Sequence, residues 1–450
     1  MTSLDRENKS RNKFWKGVLV GALVTAFAGL IIVGVAAGIS VIGRSVIDNQ
    51  QNQIVESSGT AQPVKQELDM DAVEQKLDTL QELVDYYYLF DEDIEQVEAG
   101  IYKGMLAGLD DPYAMYYTPE EFQAFNEETE GTYCGIGVLV SQNIQTKIVT
   151  ALRVFPNSPA EEAGMKKGDI LYKVEDIEAT SEDLDMLVQQ YIRGEEGTFV
   201  NLTVVRDGEE IPLRVERRQV EVATVEHQLL EDKTGYVLVT QFDLVTGNQF
   251  IAAVEDLKAQ GMERLVIDLR DNPGGVVDSC VEIAAYILPE DQFDGTILSM
   301  ATKKGQSERY YCEGGQIRHE VYDGKQKDPK YPKKDDSELD IPIAVLMNGQ
   351  SASASEVLAG ALKDYGKAVL VGTTSYGKGI VQSLLPLADG SAVKLTTAHY
   401  YTPGGHDLHK KGLEPDVEVE LELDEDLKGQ YDVPLDRDNQ VQKAIETLKK

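Results

Sequence analysis

Three segments of this sequence combine glycine, serine and lysine in ways that suit acyl transfer, and each follows an apolar run. They are Asp268–Gly275 (DLRDNPGG), Asn348–Glu356 (NGQSASASE) and Gly372–Gly379 (GTTSYGKG). Two glycines at a strand end free backbone N–H groups to bind an oxyanion. A serine at a strand-to-helix turn lies near a helix N-terminus, where developing negative charge is stabilised. The segments predict a nucleophilic serine, an oxyanion hole and a lysine that acts with them.

Each segment also has other interpretations. The serines of the second segment could all cap the following helix, and Lys378 could be a solvated turn lysine. The third segment is close to a Walker A loop, but Gly379 stands where a hydroxyl residue should hold Mg²⁺. A Ser-His-Asp triad could use His399, His406 or His409. A metal pair of His406 and His409 lacks further evident ligands.

A catalytic role for Lys378 requires that its side chain be uncharged. To accept a serine proton, Lys378 must be neutral, yet a free lysine has a pKa near 10.4. Burial disfavours the charged form and can lower the pKa to the ~7–8 that suits a general base. We therefore expect Lys378 to be desolvated in the active enzyme.

Apolar runs alternate with helical patterns through residues 218–424. The strand-like runs are Gly235–Phe242, Arg264–Leu269, Ile343–Met347 and Ala368–Val371, and the helix-like runs are Asn248–Gln260, Val277–Leu288 and Ser353–Lys363. This alternation predicts an α/β core, a sheet covered by helices. Residues 302–340 interrupt the pattern with a neutral, tyrosine-rich stretch, which we interpret as an insertion or lid.

Residues 131–217 predict a smaller domain. Ser158 suits a helix N-cap, Pro159 the first helical position and Gly164 the stop. With GIGV ahead of it and SPAEEAGMKKGDILYKV within it, this layout resembles a PDZ domain. In that family a peptide C-terminus adds as a strand, and loop N–H groups hold its carboxylate. The resemblance implies that Gly135, Ile136 and Gly137 form the cradle.

Arg193 has two interpretations of equal weight. It lies where PDZ domains of membrane-associated proteases commonly carry an arginine, so the resemblance implies contact with the substrate C-terminus. Alternatively, it is a cation that satisfies the last carbonyls of a helix.

Together the motifs resemble the carboxyl-terminal processing (tail-specific) peptidase family. The matching stretches are NGQSASASEVLAGALKD, GTTSYGKGIVQ, DLRDNPGG and DGSAVKLTTAHYYTPGG, which follow the PDZ-like segment as in that family. The resemblance implies that Ser353 is the nucleophile and Lys378 its general base. It further implies that Gln382 orients the lysine, and that the N–H groups of Gly275 and Ala354 form the oxyanion hole.

The N-terminal residues predict a membrane anchor. Residues 1–16 form a basic head, Gly17–Gly43 is a run of 27 residues without charge, and residues 44–67 read as a polar linker. A helix of this length is longer than the hydrocarbon core of a bilayer is thick. The basic residues before it predict that the N-terminus lies in the cytoplasm. A cleaved signal peptide is the alternative, although its apolar region is normally shorter. We expect the catalytic part to lie outside the cell membrane.

Residues 68–130 predict helices with apolar stripes. One stripe is Val73, Leu77, Leu80, Val84 and Tyr87, and the other is Ile94, Val97, Ile101 and Met105. A packed helical hairpin explains the stripes most simply, and a homodimer interface is the alternative. Residues 425–450 are expected to form a helical tail.

Composition limits the remaining classes of function. The chain has 450 residues and a net charge of −35, which disfavours nucleic acid as a partner. Three cysteines and five histidines match no zinc pattern, so we expect no cofactor or metal. The sequence predicts a multidomain α/β serine endopeptidase that cleaves proteins near free C-termini. A catalytically silent PDZ scaffold is the alternative.

Overall fold

The computed structural model describes residues 67–449, apart from 304–306, 322–324, 327–330, 333–338 and 425–432. The predicted basic head and anchor, and almost all of the linker, lie outside the described residues. No helix in the described ranges is both long enough and apolar enough to span a bilayer.

The helical region after the linker begins with two capped helices. α1 (Met70–Tyr87) starts after Asp69, whose carboxylate accepts the Ala72 N–H. α2 (Ile94–Ala107) starts in the same way after Asp93. The chain divides into two compact units, of which the first ends at Asp91 and the second begins at Glu92. In the second unit, α2 is followed by β1 (Met115–Tyr117) and α3 (Pro119–Glu130).

The PDZ-like segment folds as an antiparallel sheet with short helices. Its elements are β2 (Thr132–Gly135), β3 (Val138–Gln142), β4 (Val149–Val154), α4 (Pro159–Glu162), β5 (Ile170–Val174), β6 (Ile177–Glu178), a 3₁₀ turn (Ala179–Ser181), α5 (Leu184–Met186) continuing as a π-helix (Leu187–Ile192), β7 (Phe199–Arg206), β8 (Glu209–Glu216) and β9 (Arg218–Glu221). The sheet order is β3-β4-β5-β7-β8, with β6 beside β5, and β2 pairs with β9. Ser158 caps α4 by accepting the Glu161 N–H, as its sequence predicts. β3 is an edge strand, which leaves one side open to an added strand.

The catalytic region contains two sheets. Its elements are β10 (Val225–Leu229), β11 (Thr234–Val239), α6 (Thr246–Ala259), β12 (Arg264–Asp268), α7 (Val277–Ile287), a 3₁₀ turn (Phe293–Gly295), β13 (Thr296–Thr302), β14 (Ser307–Glu313), β15 (Gln316–Val321), β16 (Lys325–Gln326), β17 (Tyr331–Pro332), β18 (Ile343–Met347), α8 (Ala354–Asp364), β19 (Ala368–Gly372), β20 (Ile380–Pro386), β21 (Ala392–Tyr401), β22 (Val417–Glu418) and α9 (Asn439–Leu448). The first sheet has the order β10-β11-β12-β18-β19-β22 and is parallel from β11 to β22. The second has the path β1-β21-β13-β14-β15-β16, with β20 on β21 and β17 on β15.

The first sheet is buried on both faces, as the apolar runs predict. One face packs with α6, α7 and α8, and that cluster extends to the second sheet through Leu298 and Tyr310. The other face packs against α9 through Val441, Ala444 and Ile445. The α/β prediction for this core is therefore confirmed, and α9 supplies the helix expected within the tail.

The described part of the stretch 302–340 is built into the second sheet. β14 and β15 form a hairpin that extends the second sheet, with Tyr310, Cys312 and Ile317 in the main core. Charged side chains of this stretch pair with each other across the hairpin. Arg309 donates to Glu320 at 2.9 Å, and His319 lies 2.9 Å from Glu308.

Candidate active site

The three glycine-containing segments meet at one edge of the parallel sheet. They follow β12, β18 and β19, whose carboxyl ends lie side by side, and ligands bind at such edges in α/β proteins. A cavity of about 1000 Å³ opens there, and Ser353, Lys378, Gln382 and Gly275 all line it. The fold therefore unites residues that are up to 107 positions apart in the sequence (275 to 382).

The structure gives the three serines of the second segment different surroundings. Ser351 Oγ donates to the Leu269 carbonyl at 2.7 Å, and Ser355 Oγ donates to the Asn272 carbonyl at 3.0 Å. Both side chains are buried and clamp the Asp268–Gly275 loop to the start of α8. Ser353 is half-buried and faces the cavity. Of the three, it alone lines the cavity in which a substrate would bind.

Ser353 has a strained backbone, with φ of 55° and ψ of −115°. Positive φ in a non-glycine residue costs on the order of 1–3 kcal/mol and tends to occur at functional sites. Gly274, in the neighbouring Asp268–Gly275 loop, leaves room for the backbone turn at Ser353. A Cβ atom on Gly274 would lie 2.7 Å from Ser353 Cβ and 2.6 Å from the Ala352 carbonyl, so only glycine fits there.

Two backbone N–H groups flank Ser353 without an acceptor in the described part of the chain. One belongs to Ala354, the first residue of α8, where intrahelical acceptors do not exist. The other belongs to Gly275, whose φ of 141° requires glycine. The Asn272 side chain holds this loop by accepting from Gly274 N at 2.8 Å and donating to the Val239 carbonyl at 2.8 Å.

Lys378 is partly desolvated, as the chemistry requires. Burial lowers its pKa, and the nearby charge of Lys394 lowers it further, while Glu356 and Asp111 act in the opposite direction. Its Nζ lies 4.4 Å from the centroid of the Tyr113 ring, a cation–π contact. Among the described residues, no hydrogen bond joins Lys378 Nζ to Ser353.

Glu356 is a buried carboxylate that the sequence interpretation overlooked. It accepts hydrogen bonds from the backbone N–H groups of Ser353 at 3.0 Å, Gly377 at 2.7 Å and Lys378 at 2.9 Å. The Ser375 hydroxyl donates to it at 2.5 Å. One carboxylate thus binds the serine turn to the lysine loop. The sequence does contain a signal for Glu356, because a glutamate three residues after a serine N-cap occupies the capping-box position.

Gln382 reaches the cavity, but no hydrogen bond between it and Lys378 occurs among the described residues. Its amide nitrogen donates to Thr396 Oγ1 at 3.2 Å across β20 and β21. The orienting role that the family resemblance implies for Gln382 therefore stays a prediction.

The histidine alternatives find no geometric support. His399 and His409 pack edge to face with ring centroids 5.3 Å apart, and His406 lies 3.7 Å from Asp364. None of them is among the residues lining the cavity. The described residues include no cluster of three potential metal ligands.

The predicted carboxylate cradle lies between β2 and β3. Gly135 ends β2 opposite Arg218, Ile136 is buried, and Gly137 has a φ of 78°. The Ile136 carbonyl accepts from Ala160 N at 2.8 Å, which fixes the loop to α4.

Arg193 follows the π-helix and its backbone N–H donates to the Val188 carbonyl at 2.9 Å, but its side chain does not serve the last carbonyls of that helix. That role belongs to Arg217, which donates to the carbonyls of Tyr191 at 2.7 Å and Ile192 at 2.9 Å. The Arg193 guanidinium instead lies 4.8 Å from the Tyr133 ring centroid, and its Nε is buried without a hydrogen-bond partner in the described residues.

The sequence matches two known families in the order of its two domains. Residues 134–216 match the PDZ domain, and residues 233–419 match Peptidase family S41. The carboxy-terminal processing protease CtpB of Bacillus subtilis is 31% identical over 409 residues, which cover 88% of this chain and 78% of that protein. The chain belongs to peptidase family S41.

Two further proteins are similar to this chain. The probable CtpA-like serine protease of Staphylococcus aureus (strain COL) is 33% identical over 346 residues, covering 77% of this chain and 64% of that protein. The solved photosystem II D1 C-terminal processing protease is 28% identical, with a TM-score of 0.39 over 77% of this chain and 87% of that one. The S41 chain is a carboxy-terminal processing serine peptidase with a PDZ domain. Its substrates are proteins, which it processes at their C-termini. The silent-scaffold alternative is wrong.

Proposed function

We propose that Ser353 is the nucleophile of this peptidase and Lys378 its general base. The observation that carries the proposal is the contrast among the three serines, because only Ser353 has a strained backbone and lines the cavity, whereas Ser351 and Ser355 hold the Asp268–Gly275 loop. Lys378 lines the same cavity and has a lowered pKa. Both properties suit proton transfer from a serine hydroxyl.

The reaction follows from this arrangement. Neutral Lys378 takes the hydroxyl proton as Ser353 Oγ attacks the scissile carbonyl. The N–H groups of Gly275 and Ala354 stabilise the oxyanion, and the lysine then protonates the leaving amine. Water hydrolyses the resulting acyl-enzyme. Gln382, already in the cavity, is proposed to orient the lysine once substrate is bound.

The Tyr113 contact marks a resting arrangement of the lysine. A cation–π contact stabilises the ammonium form, which cannot act as a base. We propose that Lys378 Nζ leaves the Tyr113 ring and bonds the Ser353 hydroxyl when substrate binds. Rotation of the flexible lysine side chain suffices for this change.

We further propose that the PDZ domain selects free C-termini. β3 offers an open edge for a peptide strand, and Gly135, Ile136 and Gly137 form the loop at its start. Arg193, whose Nε lacks a hydrogen-bond partner in the described residues, supplies a cation for the carboxylate. Such a site would accept many proteins by their ends while rejecting internal segments.

Mass-spectrometric mapping of the cleavage of an unstructured protein substrate tests both proposals. Ser353→Ala and Lys378→Ala should each abolish the wild-type products, whereas Ser57→Ala in the linker should not change them. Full cleavage by either dyad variant would refute the dyad. A substrate with an amidated C-terminus should be cleaved more slowly, and equal rates would refute tail recognition by the PDZ domain.

The apolar stripes of the helical region support a homodimer. No residue of α1 or α2 is buried, and Ile101 and Met105 are 41% and 64% exposed. Exposed apolar stripes commonly mark interaction surfaces, and a second copy of the chain offers a matching one. Sedimentation of the detergent-solubilised full chain should show a dimer, which Ile101→Glu with Met105→Glu should convert to monomer.

For location, we propose a single-pass anchor over residues 17–43 with the catalytic part outside the cytoplasm. The uncharged run and its basic flank support this orientation. Protease added to intact cells whose wall has been removed should digest the catalytic part. Full protection of that part would contradict the proposed orientation.

A further inference from the structure

The C-terminal helix α9 is joined to the Asp268–Gly275 loop by one buried guanidinium. Arg270 Nη1 donates to Asp438 Oδ2 at 2.8 Å and to Gln440 Oε1 at 2.9 Å. Its Nε and Nη2 donate to the Asp268 carboxylate, with Nη2 at 2.5 Å from Oδ2. The side chains of Arg270, Asp268 and Asp438 are 12%, 2% and 4% exposed. The link between Arg270 and Asp438 is therefore shielded from solvent, and it bridges 168 positions in the sequence.

The two carboxylate oxygens of Asp438 have separate partners. Oδ1 accepts the N–H groups of Gln440 at 2.9 Å and Val441 at 3.1 Å, which caps α9, and Oδ2 accepts from Arg270. Capping requires only one acceptor oxygen, and asparagine caps helices about as well as aspartate. Pairing with Arg270 requires the second oxygen, because an amide nitrogen there would face a guanidinium that has donors only. Asp438→Asn can therefore break the link while it keeps the cap.

Arg270 begins the turn that carries Gly275, the proposed oxyanion donor. Between them, the buried Asn272 side chain accepts from Gly274 N at 2.8 Å and donates to the Val239 carbonyl at 2.8 Å. These contacts hold the turn as one piece, and a close-packed interior transmits displacements from one group to the next. A shift of Arg270 therefore reaches the N–H group of Gly275.

We propose that Asp438 is a positioning residue for the oxyanion hole and that it acts through Arg270. This inference rests on the proposed function, in which the Gly275 N–H stabilises the oxyanion. Neither Asp438 nor any residue of α9 lines the catalytic cavity. The C-terminal helix thus affects the reaction without contact with the substrate.

The expected effect follows from when the oxyanion forms. The donors of an oxyanion hole stabilise the transition state more than the bound substrate, so their displacement lowers kcat and leaves KM unchanged. Removing one donor entirely costs ~100–1000-fold in kcat. Asp438→Asn keeps the Gly275 donor but places it less well, so we expect a loss of about 10-fold, well short of that limit.

Steady-state hydrolysis of an unstructured peptide by the full chain tests the proposal. Asp438→Asn should lower kcat about 10-fold at unchanged KM. The matched control is Asp69→Asn, which alters the N-cap of α1, where the carboxylate accepts the Ala72 N–H and has no cationic partner among the described residues. This control should leave kcat unchanged. A wild-type kcat in Asp438→Asn, or an equal loss in both variants, would overturn the proposal.

A peptide aldehyde distinguishes positioning of the oxyanion hole from a general loss of structure. Ser353 Oγ bonds to the aldehyde carbon as the carbonyl π bond breaks, and the hydroxyl proton ends on the hemiacetal oxygen. That oxygen takes the place of the oxyanion, so Asp438→Asn should weaken aldehyde inhibition about 10-fold, in step with kcat. The matching peptide alcohol forms no such bond and should bind both proteins equally. A reduced kcat with unchanged aldehyde affinity would overturn the proposal.

A double variant shows whether Asp438 acts through Arg270. In the Arg270→Gln background, Asp438→Asn should cause no further fall in kcat, because the link is already broken. Multiplied losses would overturn transmission through Arg270. The kinetic and aldehyde measurements require only Asp438→Asn, whose helix cap is retained.

The aldehyde also separates this inference from the function on which it rests. If the wild type binds the aldehyde no more tightly than the alcohol, the proposed serine site fails and the role of Asp438 fails with it. If the wild type prefers the aldehyde and Asp438→Asn does so to the same degree, the proposed function stands and the positioning role alone is overturned.

Discussion

The carboxylate of Glu356 accepts a hydrogen bond from the backbone N–H of Lys378 at 2.9 Å. The same oxygen accepts from Ser353 N at 3.0 Å, so the proposed nucleophile and base share one buried support. A charged acceptor binds such donors more strongly than a neutral one. The alignment of the dyad therefore depends on a group that takes no part in the proposed proton transfer.

Replacing Glu356 by glutamine should damage both activity and stability. The amide presents N–H groups to donors that need an acceptor, and each buried donor left unsatisfied costs ~1–3 kcal/mol. Misplacement of the dyad by about 1 Å can cost on the order of 100-fold in rate, so we expect kcat/KM to fall at least that far. Glu263→Gln, a surface change, should alter neither quantity. Peptide hydrolysis and urea unfolding measure the two effects, and a fully active Glu356→Gln enzyme would contradict this role.

The pH dependence of kcat/KM should report Lys378. Its neutral form is the active one, so activity should rise with pH as the lysine loses its proton. Lys394 lowers the pKa of Lys378 by charge repulsion, and Lys394→Met should raise that pKa. The rising limb of the profile should then move to higher pH, whereas Lys258→Met on the surface of α6 should leave it in place. A shift to lower pH, or no shift, would show that Lys394 does not tune the base.

Alanine substitution should reduce stability at Ser351 and Ser355 but should reduce activity, and not stability, at Ser353. Ser351→Ala leaves the Leu269 carbonyl without the hydroxyl and should reduce the free energy of unfolding by ~1–3 kcal/mol. Ser355→Ala should act similarly on the Asn272 carbonyl, at ~0.5–1.5 kcal/mol. Ser353→Ala should lie within about 0.5 kcal/mol of the wild type, as other substitutions outside the core do. Urea unfolding followed by circular dichroism measures stability, and a peptide hydrolysis assay measures activity. Ser353 should contribute least to stability and yet be the serine that activity requires.

Glycine at position 274 should be essential for catalysis. Gly274→Ala places a methyl group against Ser353 Cβ and forces an unfavourable φ of 97°, so the serine or the oxyanion loop must move. We expect a loss of kcat of about 100-fold or more from this displacement. Gly261→Ala is a matched control, because that glycine has a similar φ of 90° but open space around it. Equal effects of the two changes would mean that backbone strain alone, and not the close approach to Ser353, explains the loss.

Local patterns in the sequence determined the strands, the caps and the chemical types at the site. The parallel strands read as apolar runs because both faces are covered, and Ile343–Met347 has the predicted bounds. Ser158 and Pro159 predicted the start of α4 because capping is a local hydrogen bond. The family motifs pointed to Ser353 and Lys378, and the fold brings both to one cavity.

Only the tertiary structure decided which polar groups face each other across long separations in the chain. The clamps from Ser351 and Ser355 to the Asp268–Gly275 loop bridge more than eighty residues. The contact of Tyr113 with Lys378 joins the helical region to the catalytic loop. The pairing of Arg309 with Glu320 and of His319 with Glu308 appears only when β14 and β15 are aligned as a hairpin. Sequence patterns report the local period and the chemistry of residues, whereas the burial of a charge and the choice of its partner depend on how distant segments pack.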